Sequence, residues 1–104
     1  MIAAAWQVLL DDEAKETWQG AGLTADDRIV IRAWIQIVEQ FGPQALQLNP
    51  SVWNDHPIFG KWAGHRASNF SNSGRVIYYV ADPPTQAVLI RRITASHDYR
   101  PLSD

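Results

Sequence analysis

Residues 55–80 read DHPIFGKWAGHRASNFSNSGRVIYYV, and this stretch decides how the second half of the chain folds. A polar loop leads into a loosely alternating segment at 61–70. A turn of small polar residues at 71–74 separates that segment from a run of strong β-formers at 75–81. A second turn, which contains two prolines, leads to another apolar run at 87–93. Short connections between successive strands predict an antiparallel meander.

The first twenty residues predict a strand followed by a short helix. Residues 4–10 carry apolar side chains at alternate and intervening positions, which favours a strand buried on both faces. Asp11 or Asp12 can cap the helix that follows. The glycines at 20 and 22 are expected to end it.

The clearest helix begins at Thr24, where Asp27 three residues later gives a variant capping box. The pair Gly42-Pro43 stops it. Apolar residues at helical spacing predict its core stripe, which comprises Val30, Trp34, Ile37, Val38 and Phe41. Ile31 and Ile35 widen the stripe, so a second face must be covered as well.

The order strand, helix, helix, strand, strand, strand predicts an α+β fold for a single domain spanning 1–104. In it a helical hairpin packs on one face of a mainly antiparallel four-stranded sheet. Residues 44–60 form a long connection of the kind that tends to carry function. Of the five tryptophans, only Trp53 and Trp62 are plausible at a surface, although Trp53 can also pin the connection to the core.

Composition narrows the possible chemistry. The chain has no cysteine, which excludes disulfides, thiolate zinc sites and a cysteine nucleophile. The three histidines and their acidic neighbours do not have the spacing of a compact metal site, so no metal and no cofactor are expected. No apolar run approaches the roughly 20 residues of a membrane span, and the start lacks the basic segment of a signal peptide. We therefore expect a cytoplasmic protein.

Charge is distributed unevenly between the two halves. Residues 1–50 hold three basic and seven acidic side chains, whereas residues 51–104 hold six basic and four acidic ones. A modest basic patch can therefore form on the second half. Ordinary scatter of surface charge explains the same numbers equally well.

Three residues could support phosphodiester cleavage without a metal. Such cleavage needs a base for the attacking hydroxyl, a cation for the charged transition state and an acid for the leaving oxygen. Histidine can move either proton near neutral pH, and the planar fork of arginine fits phosphate. His56 lies in a loop constrained by Pro57, Arg75 opens a strand, and His97 follows the last strand. Taken singly, each is more often an ordinary surface residue.

In order and spacing, these blocks resemble the RelE/ParE superfamily of toxins from bacterial type II toxin–antitoxin pairs, and most closely its YafQ-like mRNA interferases. The most specific blocks are 55–66, 75–80 and the stretch from Arg92 to Tyr99. The resemblance implies an α+β fold, a cognate antitoxin and cleavage of mRNA on the ribosome. In that reaction the ribose 2′-hydroxyl attacks the adjacent phosphate.

The resemblance also implies roles for particular residues. His97 would be the general acid or base, and Arg75 the transition-state clamp. His56 would be a second proton-transfer or phosphate group, and Tyr99 a base-stacking group or hydroxyl donor. Residues expected to contact RNA are Lys61, Arg66, Asn69, Ser73 and Arg92.

Two departures from the YafQ-like pattern favour alternative functions. That branch carries a histidine and an aspartate where this chain has Asn69 and Ser73, and the chain is acidic overall although RNA binding relies on cations. A catalytically inert binding relative is one alternative. A ParE-like inhibitor of DNA gyrase is another, although it would need no histidine cluster. In either toxin interpretation the antitoxin covers the active groove or an exposed hairpin face at Ile31 and Ile35.

Overall fold

The computed structural model describes residues 6–81 and 86–95. Their strands and helices occur in the order β1 (Gln7–Leu10), α1 (Asp12–Gln19), α2 (Ala25–Phe41), α3 (Pro50–Trp53), β2 (His56–Pro57), β3 (Arg66–Asn69), β4 (Arg75–Val80) and β5 (Ala87–Thr94). Two 3-10 turns, Pro43–Leu48 and Gly60–Trp62, lie in the connections. None of the helices in these residues has the length and hydropathy that crossing a membrane would take.

The five strands form one sheet in the order β1-β5-β4-β3-β2. β1 is parallel to β5, and the other neighbours are antiparallel. The predicted α+β fold with a mainly antiparallel sheet is confirmed, but four strands was one too few. The additional strand is β2, whose two residues are too short to show a period in the sequence.

Local sequence sets both helix starts. Thr24 Oγ1 accepts from Asp27 N at 3.0 Å, and Asp27 Oδ2 accepts from Thr24 N at 3.0 Å, so the predicted capping box is present. Asp11 caps α1 by accepting from Ala14 N at 3.1 Å. Gly42 ends α2 with a φ of 86°, where a side chain would also crowd the indole of Trp6.

The main core lies between the helices and one face of the sheet. The stripe of α2 that faces the sheet consists of Ile31, Trp34 and Val38, all without exposed surface. This corrects the predicted stripe, because Phe41 is 69% exposed at the end of the helix. Buried Ile31 and partly buried Ile35 pack in the core, so they cannot form the exposed hairpin face suggested for an antitoxin.

Both tryptophans considered for the surface are buried. Trp53 joins the main core and thereby anchors the long connection after α2. Trp62 packs with Ala67 and Ile77 in a second, smaller cluster. This cluster covers part of the sheet face opposite the helices, hereafter the outer face, so the outer face is partly apolar.

Candidate functional site

Strand pairing places His56 and Arg92 in one row on the outer face. His56 is opposite Ala67, Ala67 is opposite Ile77, and Ile77 is opposite Arg92. Residues directly opposite each other in a sheet point to the same face. The row therefore crosses β2, β3, β4 and β5.

The neighbouring row contains Asn69, Arg75 and Thr94. Each lies two positions along its strand from the first row, so the side chains again point to the outer face. Strand spacing puts the Cα atoms of His56 and Arg75 on the order of 12 Å apart. The two residues thus lie in neighbouring rows of the same face.

His56 is fixed in one tautomer by its own loop. Its Nδ1 lies 2.6 Å from the carbonyl oxygen of Asn54, which can only accept a hydrogen bond. The proton of the neutral ring is therefore on Nδ1, and Nε2 carries the lone pair. Asn54 has left-handed backbone angles, φ 42° and ψ 44°, at the end of α3. A histidine with this tautomer can act as a general base.

Arg75 is buried, with 9% of its surface exposed. Its Nη1 donates to the carbonyls of Ser71, Asn72 and Gly74 at 3.4, 3.2 and 2.9 Å. Its Nε has no hydrogen-bond partner among residues 6–81 and 86–95. The guanidinium is thus held by the β3–β4 turn, and its Nε–H is buried and unpaired within the described residues.

Asn69, opposite Arg75, has an unpaired side-chain acceptor. Its Oδ1 is buried and, within the described part of the chain, accepts no hydrogen bond. Each buried polar group left unpaired costs about 1–3 kcal/mol. This row thus contains an unpaired donor and an unpaired acceptor on adjacent strands, and a ligand could pair with them only after the surrounding residues move, because neither atom is exposed.

Arg92, which the sequence predicted to contact RNA, is bound to a carboxylate. Only 7% of its surface is exposed, and its Nε and Nη2 donate to the Glu13 carboxylate at 2.5 and 3.1 Å. The guanidinium also lies 5.2 Å from the ring centre of Trp62. The reason is topological: α1 begins where β1 ends beside β5, which brings Glu13 to the arginine.

Arg66, also predicted to contact RNA, is bound to a carboxylate as well. Its partner across the strands is Tyr78, which places it on the helix side of the sheet rather than the outer face. Its Nε donates to Asp55 Oδ1 at 2.6 Å. Burial by itself lowers the pKa of Arg66, but the Asp55 carboxylate outweighs it and raises the pKa. Arg66 is therefore a structural cation.

Lys61 and Ser73 are both exposed, as RNA contacts require. Lys61 lies in the 3-10 turn before β3. Ser73 Oγ donates to the carbonyl of Ala95 at 2.8 Å, which ties the β3–β4 turn to the residue following β5. The remaining predicted site residues, His97 and Tyr99, lie outside the described residues.

A buried polar cluster on the helix side was not predicted. The Asp55 side chain has no exposed surface and accepts from Arg66 Nε, from Ser68 Oγ at 2.6 Å and from the Tyr78 hydroxyl. Trp34 Nε1 donates to Ser68 Oγ at 3.0 Å. Burial, and then the negative charge of Asp55, raises the pKa of Tyr78 well above its usual range. The sequence contains one signal of this cluster. Arg66 and Ser68 are two positions apart in a strand, so both point to a face that should be apolar.

His65 belongs to another cluster on the outer face. Its ring lies 5.1 Å from Trp62 and 5.6 Å from Tyr79, and its Nε2 is 3.4 Å from Arg91 Nη1. Arg91 is paired with Asp11 at 2.8 Å. These contacts make His65 a packed neighbour of the first row. Across the described residues, no three histidine, aspartate or glutamate side chains converge as a metal site would require.

The same architecture occurs in solved toxin structures. A YoeB/ParE toxin from Agrobacterium tumefaciens matches with a TM-score of 0.65 and 16% identity, over 89% of this chain and 99% of that one. The fold is that of RelE/ParE toxins. The toxin-like fold recurs in the Escherichia coli DinJ-YafQ toxin-antitoxin complex (TM-score 0.63, 16% identity, 89% and 93% coverage). It also recurs in the Staphylococcus aureus YoeB-YefM complex (TM-score 0.64, 13% identity, 92% and 100% coverage).

The expected RelE/ParE-like fold is thereby confirmed. No protein-family model and no curated protein matches the sequence. At 13–16% identity the structural likeness establishes the fold alone.

Proposed function

We propose that this protein is the toxin of a type II toxin–antitoxin pair and cuts mRNA on the ribosome without a metal. The observation that carries the proposal is the placement of His56 and Arg75 in neighbouring rows of the outer face. One supplies a ring nitrogen with a lone pair, and the other supplies a guanidinium that is bound to backbone carbonyls of its own turn. The toxin-like fold supports the same function.

The proposed reaction uses these groups in order. His56 Nε2 accepts the proton of a ribose 2′-hydroxyl, whose oxygen attacks the adjacent phosphorus. The bond from phosphorus to the 5′-oxygen of the next nucleotide breaks, and that oxygen takes a proton from a general acid. The products are a 2′,3′-cyclic phosphate and a free 5′-hydroxyl. Arg75 stabilises the negative charge that develops on the phosphate oxygens.

The proposed general acid is His97, and Tyr99 is proposed to stack on a base or donate its hydroxyl. Both assignments come from the sequence resemblance, because the two residues lie outside the described part of the chain. Asn69 and exposed Ser73 and Lys61 are proposed to contact the RNA around the cleaved bond.

The charge distribution supports dependence on the ribosome. RNA affinity comes largely from cations that meet phosphates. Arg91 and Arg92 are paired with Asp11 and Glu13, so they add little positive field to the outer face. Within the described residues, this pairing weakens the attraction of the outer face for isolated RNA. We therefore propose that the ribosome presents the mRNA to the site.

A small antitoxin is the proposed protein partner. The YafQ and YoeB neighbours were solved in complexes with DinJ and YefM. Because Ile31 is buried, the hairpin face suggested by the sequence is not available to such a partner. The outer face is therefore the proposed place where an antitoxin segment would block catalysis.

One observation favours a catalytically inert relative as the second candidate. Asn69 and Ser73 stand where acid–base groups were expected, and Arg66 and Arg92 are committed to carboxylates. A ParE-like gyrase inhibitor, the other alternative, would arrest growth without cutting RNA. Both alternatives make the same prediction for RNA: no cleavage.

The test is inducible expression without an antitoxin, with growth and mRNA integrity followed together. The wild type should arrest growth, and His56→Ala should relieve the arrest while remaining folded by circular dichroism. Gln36→Ala, at an exposed position on α2, is the matched control and should stay toxic. Arrest with intact mRNA and inhibited DNA supercoiling would overturn the proposal in favour of gyrase. A His56→Ala variant as toxic as the wild type would overturn the assignment of the base.

A further inference from the structure

The strand that carries His56 has few backbone bonds of its own. β2 consists only of His56 and Pro57 and lies at the edge of the sheet, next to β3. Proline has no N–H to donate to a neighbouring strand. A two-residue edge strand with one proline cannot by itself fix the position of a catalytic side chain.

Asp55, the residue before His56, attaches β2 to the rest of the sheet. The Asp55 side chain has no exposed surface, and its Oδ1 accepts from Arg66 Nε at 2.6 Å. Its Oδ2 accepts from Ser68 Oγ at 2.6 Å and from the Tyr78 hydroxyl. Charged hydrogen bonds of this kind are stronger than neutral ones. One carboxylate thus fastens the start of β2 to both β3 and β4.

The anchor extends into the helix layer. Trp34 of α2 donates to Ser68 at 3.0 Å and packs edge-on against Tyr78, with ring centres 5.1 Å apart. Both aromatic side chains are fully buried. The partners of Asp55 are therefore themselves fixed by the main core. Since neighbouring residues of a strand point to opposite faces, Asp55 holds β2 from the helix side while His56 emerges on the outer face.

We propose that Asp55 is a positioning residue for His56, which it places on the outer face in the tautomer that proton transfer requires. The effect of Asp55 on RNA cleavage rests on the proposed function. Its effect on the position and tautomer of His56 does not. Asp55→Asn removes the negative charge and turns one of the two acceptor oxygens into a donor facing two hydroxyls. β2 should then detach from β3, and the bond from His56 Nδ1 to the Asn54 carbonyl should be lost.

The direct test is nuclear magnetic resonance of nitrogen-15-labelled protein. In the wild type the ring shifts of His56 should report the Nδ1–H tautomer. In Asp55→Asn they should move to the averaged values of a mobile histidine. The Ile58 amide, bonded to the His65 carbonyl at 2.9 Å, should exchange with solvent at least about tenfold faster. Asp12→Asn, at an exposed aspartate, is the matched control and should change neither signal.

If Asp55→Asn does not fold, Tyr78→Phe replaces it, because it removes one donor to Asp55 and keeps the ring. His56 shifts and Ile58 exchange in Tyr78→Phe should then lie between those of the wild type and a free loop. A folded Asp55→Asn, or the substitute Tyr78→Phe, with both signals unchanged would overturn the proposal.

The effect of Asp55 on catalysis is tested by measuring cleavage of ribosome-bound mRNA. Asp55→Asn should lower kcat much more than it alters KM, and in a His56→Ala background it should cause no further loss. Losses that multiply in the double variant would show that Asp55 acts independently of His56 and would overturn the proposal. If the wild type cuts no RNA, the proposed function fails, and the resonance experiment still decides whether Asp55 positions His56.

Discussion

At the scale of single residues, the outer-face arginines differ in what they bind. Arg91 and Arg92 each meet a carboxylate from the first half of the chain. Arg75 instead donates to backbone carbonyls of its own turn, which carry no net charge. The charge of Arg75 is therefore not neutralised by these contacts. Among these three arginines, Arg75 is therefore the one that we propose to stabilise a phosphate.

Replacing Arg75 by lysine tests this role while keeping the positive charge. Arg75→Lys should lower the rate of cleavage on ribosomes by about 10- to 1000-fold, because lysine lacks the planar fork and the Nε donor. Single-turnover cleavage gives the rate. Arg32→Lys, at an exposed position on α2, should cleave at the wild-type rate. Equal rates for Arg75→Lys and the wild type would remove Arg75 from the mechanism.

Tyr78 gives a pH-dependent prediction for stability. Its hydroxyl donates to buried Asp55, so Tyr78→Phe should lower the free energy of unfolding by about 1–3 kcal/mol at neutral pH. Burial and Asp55 raise the pKa of Tyr78 in the folded state, whereas the unfolded tyrosine titrates near its ordinary value of about 10. Above that pH the folded state holds more protons than the unfolded state, so this contribution to stability falls as the pH rises.

Urea denaturation of the two proteins from pH 7 to pH 11 checks the prediction. The difference between the wild type and Tyr78→Phe should be largest at neutral pH and should shrink above about pH 10. Because both proteins share every other ionisable group, the comparison isolates Tyr78. A difference that stays constant or grows above pH 10 would contradict the assignment.

At the scale of elements, the turn between β3 and β4 connects packing to the site. Gly74 N donates to Ser71 Oγ at 2.9 Å, and Phe70 N donates to Gly74 O at 3.1 Å. A methyl group on Gly74 would lie 2.4 Å from the Phe70 ring and 2.6 Å from Ser71 Oγ. The turn is therefore closed tightly around a residue without a side chain, and its carbonyls hold Arg75.

Gly74→Ala should consequently disturb both stability and catalysis. Overpacking of this kind costs about 1–3 kcal/mol, and displacement of the turn should loosen the Arg75 guanidinium. Gly22→Ala is the control, because an added Cβ there meets no atom within 4 Å. Thermal melting and cleavage assays of both variants provide the check. A Gly74→Ala protein with the stability and activity of Gly22→Ala would show that the turn is free to adjust.

Features that depend on neighbouring residues could be predicted from the sequence, whereas features that depend on contacts between distant segments could not. The capping box at Thr24 and the strand at 75–81 depend on neighbouring residues, and the structure contains both, the strand as Arg75–Val80. β2 and the burial of Trp62 depend on contacts with distant strands, so local patterns did not indicate them. For the site, the family resemblance proposed Arg75, but the carboxylate partners of Arg66 and Arg92 could be found only in three dimensions.

At the scale of the whole molecule, the two faces of the sheet have different tasks. The helix side contains the main core and the buried Asp55 cluster, which hold the strands in register. The outer face presents His56, Asn69 and Arg75. The basic patch expected on the second half is reduced, because Asp11 and Glu13 from the acidic first half pair with Arg91 and Arg92.

This charge pattern leads to a prediction about the substrate. Because Arg91 and Arg92 on the outer face are paired with carboxylates, the protein should cut ribosome-bound mRNA at least about 100-fold faster than the same RNA alone. The comparison uses one mRNA with and without purified ribosomes. Equal rates would show that the protein binds RNA by itself and would contradict the proposed role of the ribosome.

Cleavage of mRNA on the ribosome is measured most directly by primer extension on a defined mRNA, in a reconstituted translation reaction with purified protein. The wild type should produce cuts in register with the reading frame, His56→Ala should produce cuts that are at least about 100-fold weaker, and Gln36→Ala should match the wild type. Chelation of divalent metals after the ribosomal complex has been stabilised should leave cleavage in place. Intact mRNA with the wild type, or unchanged cuts with His56→Ala, would contradict the account.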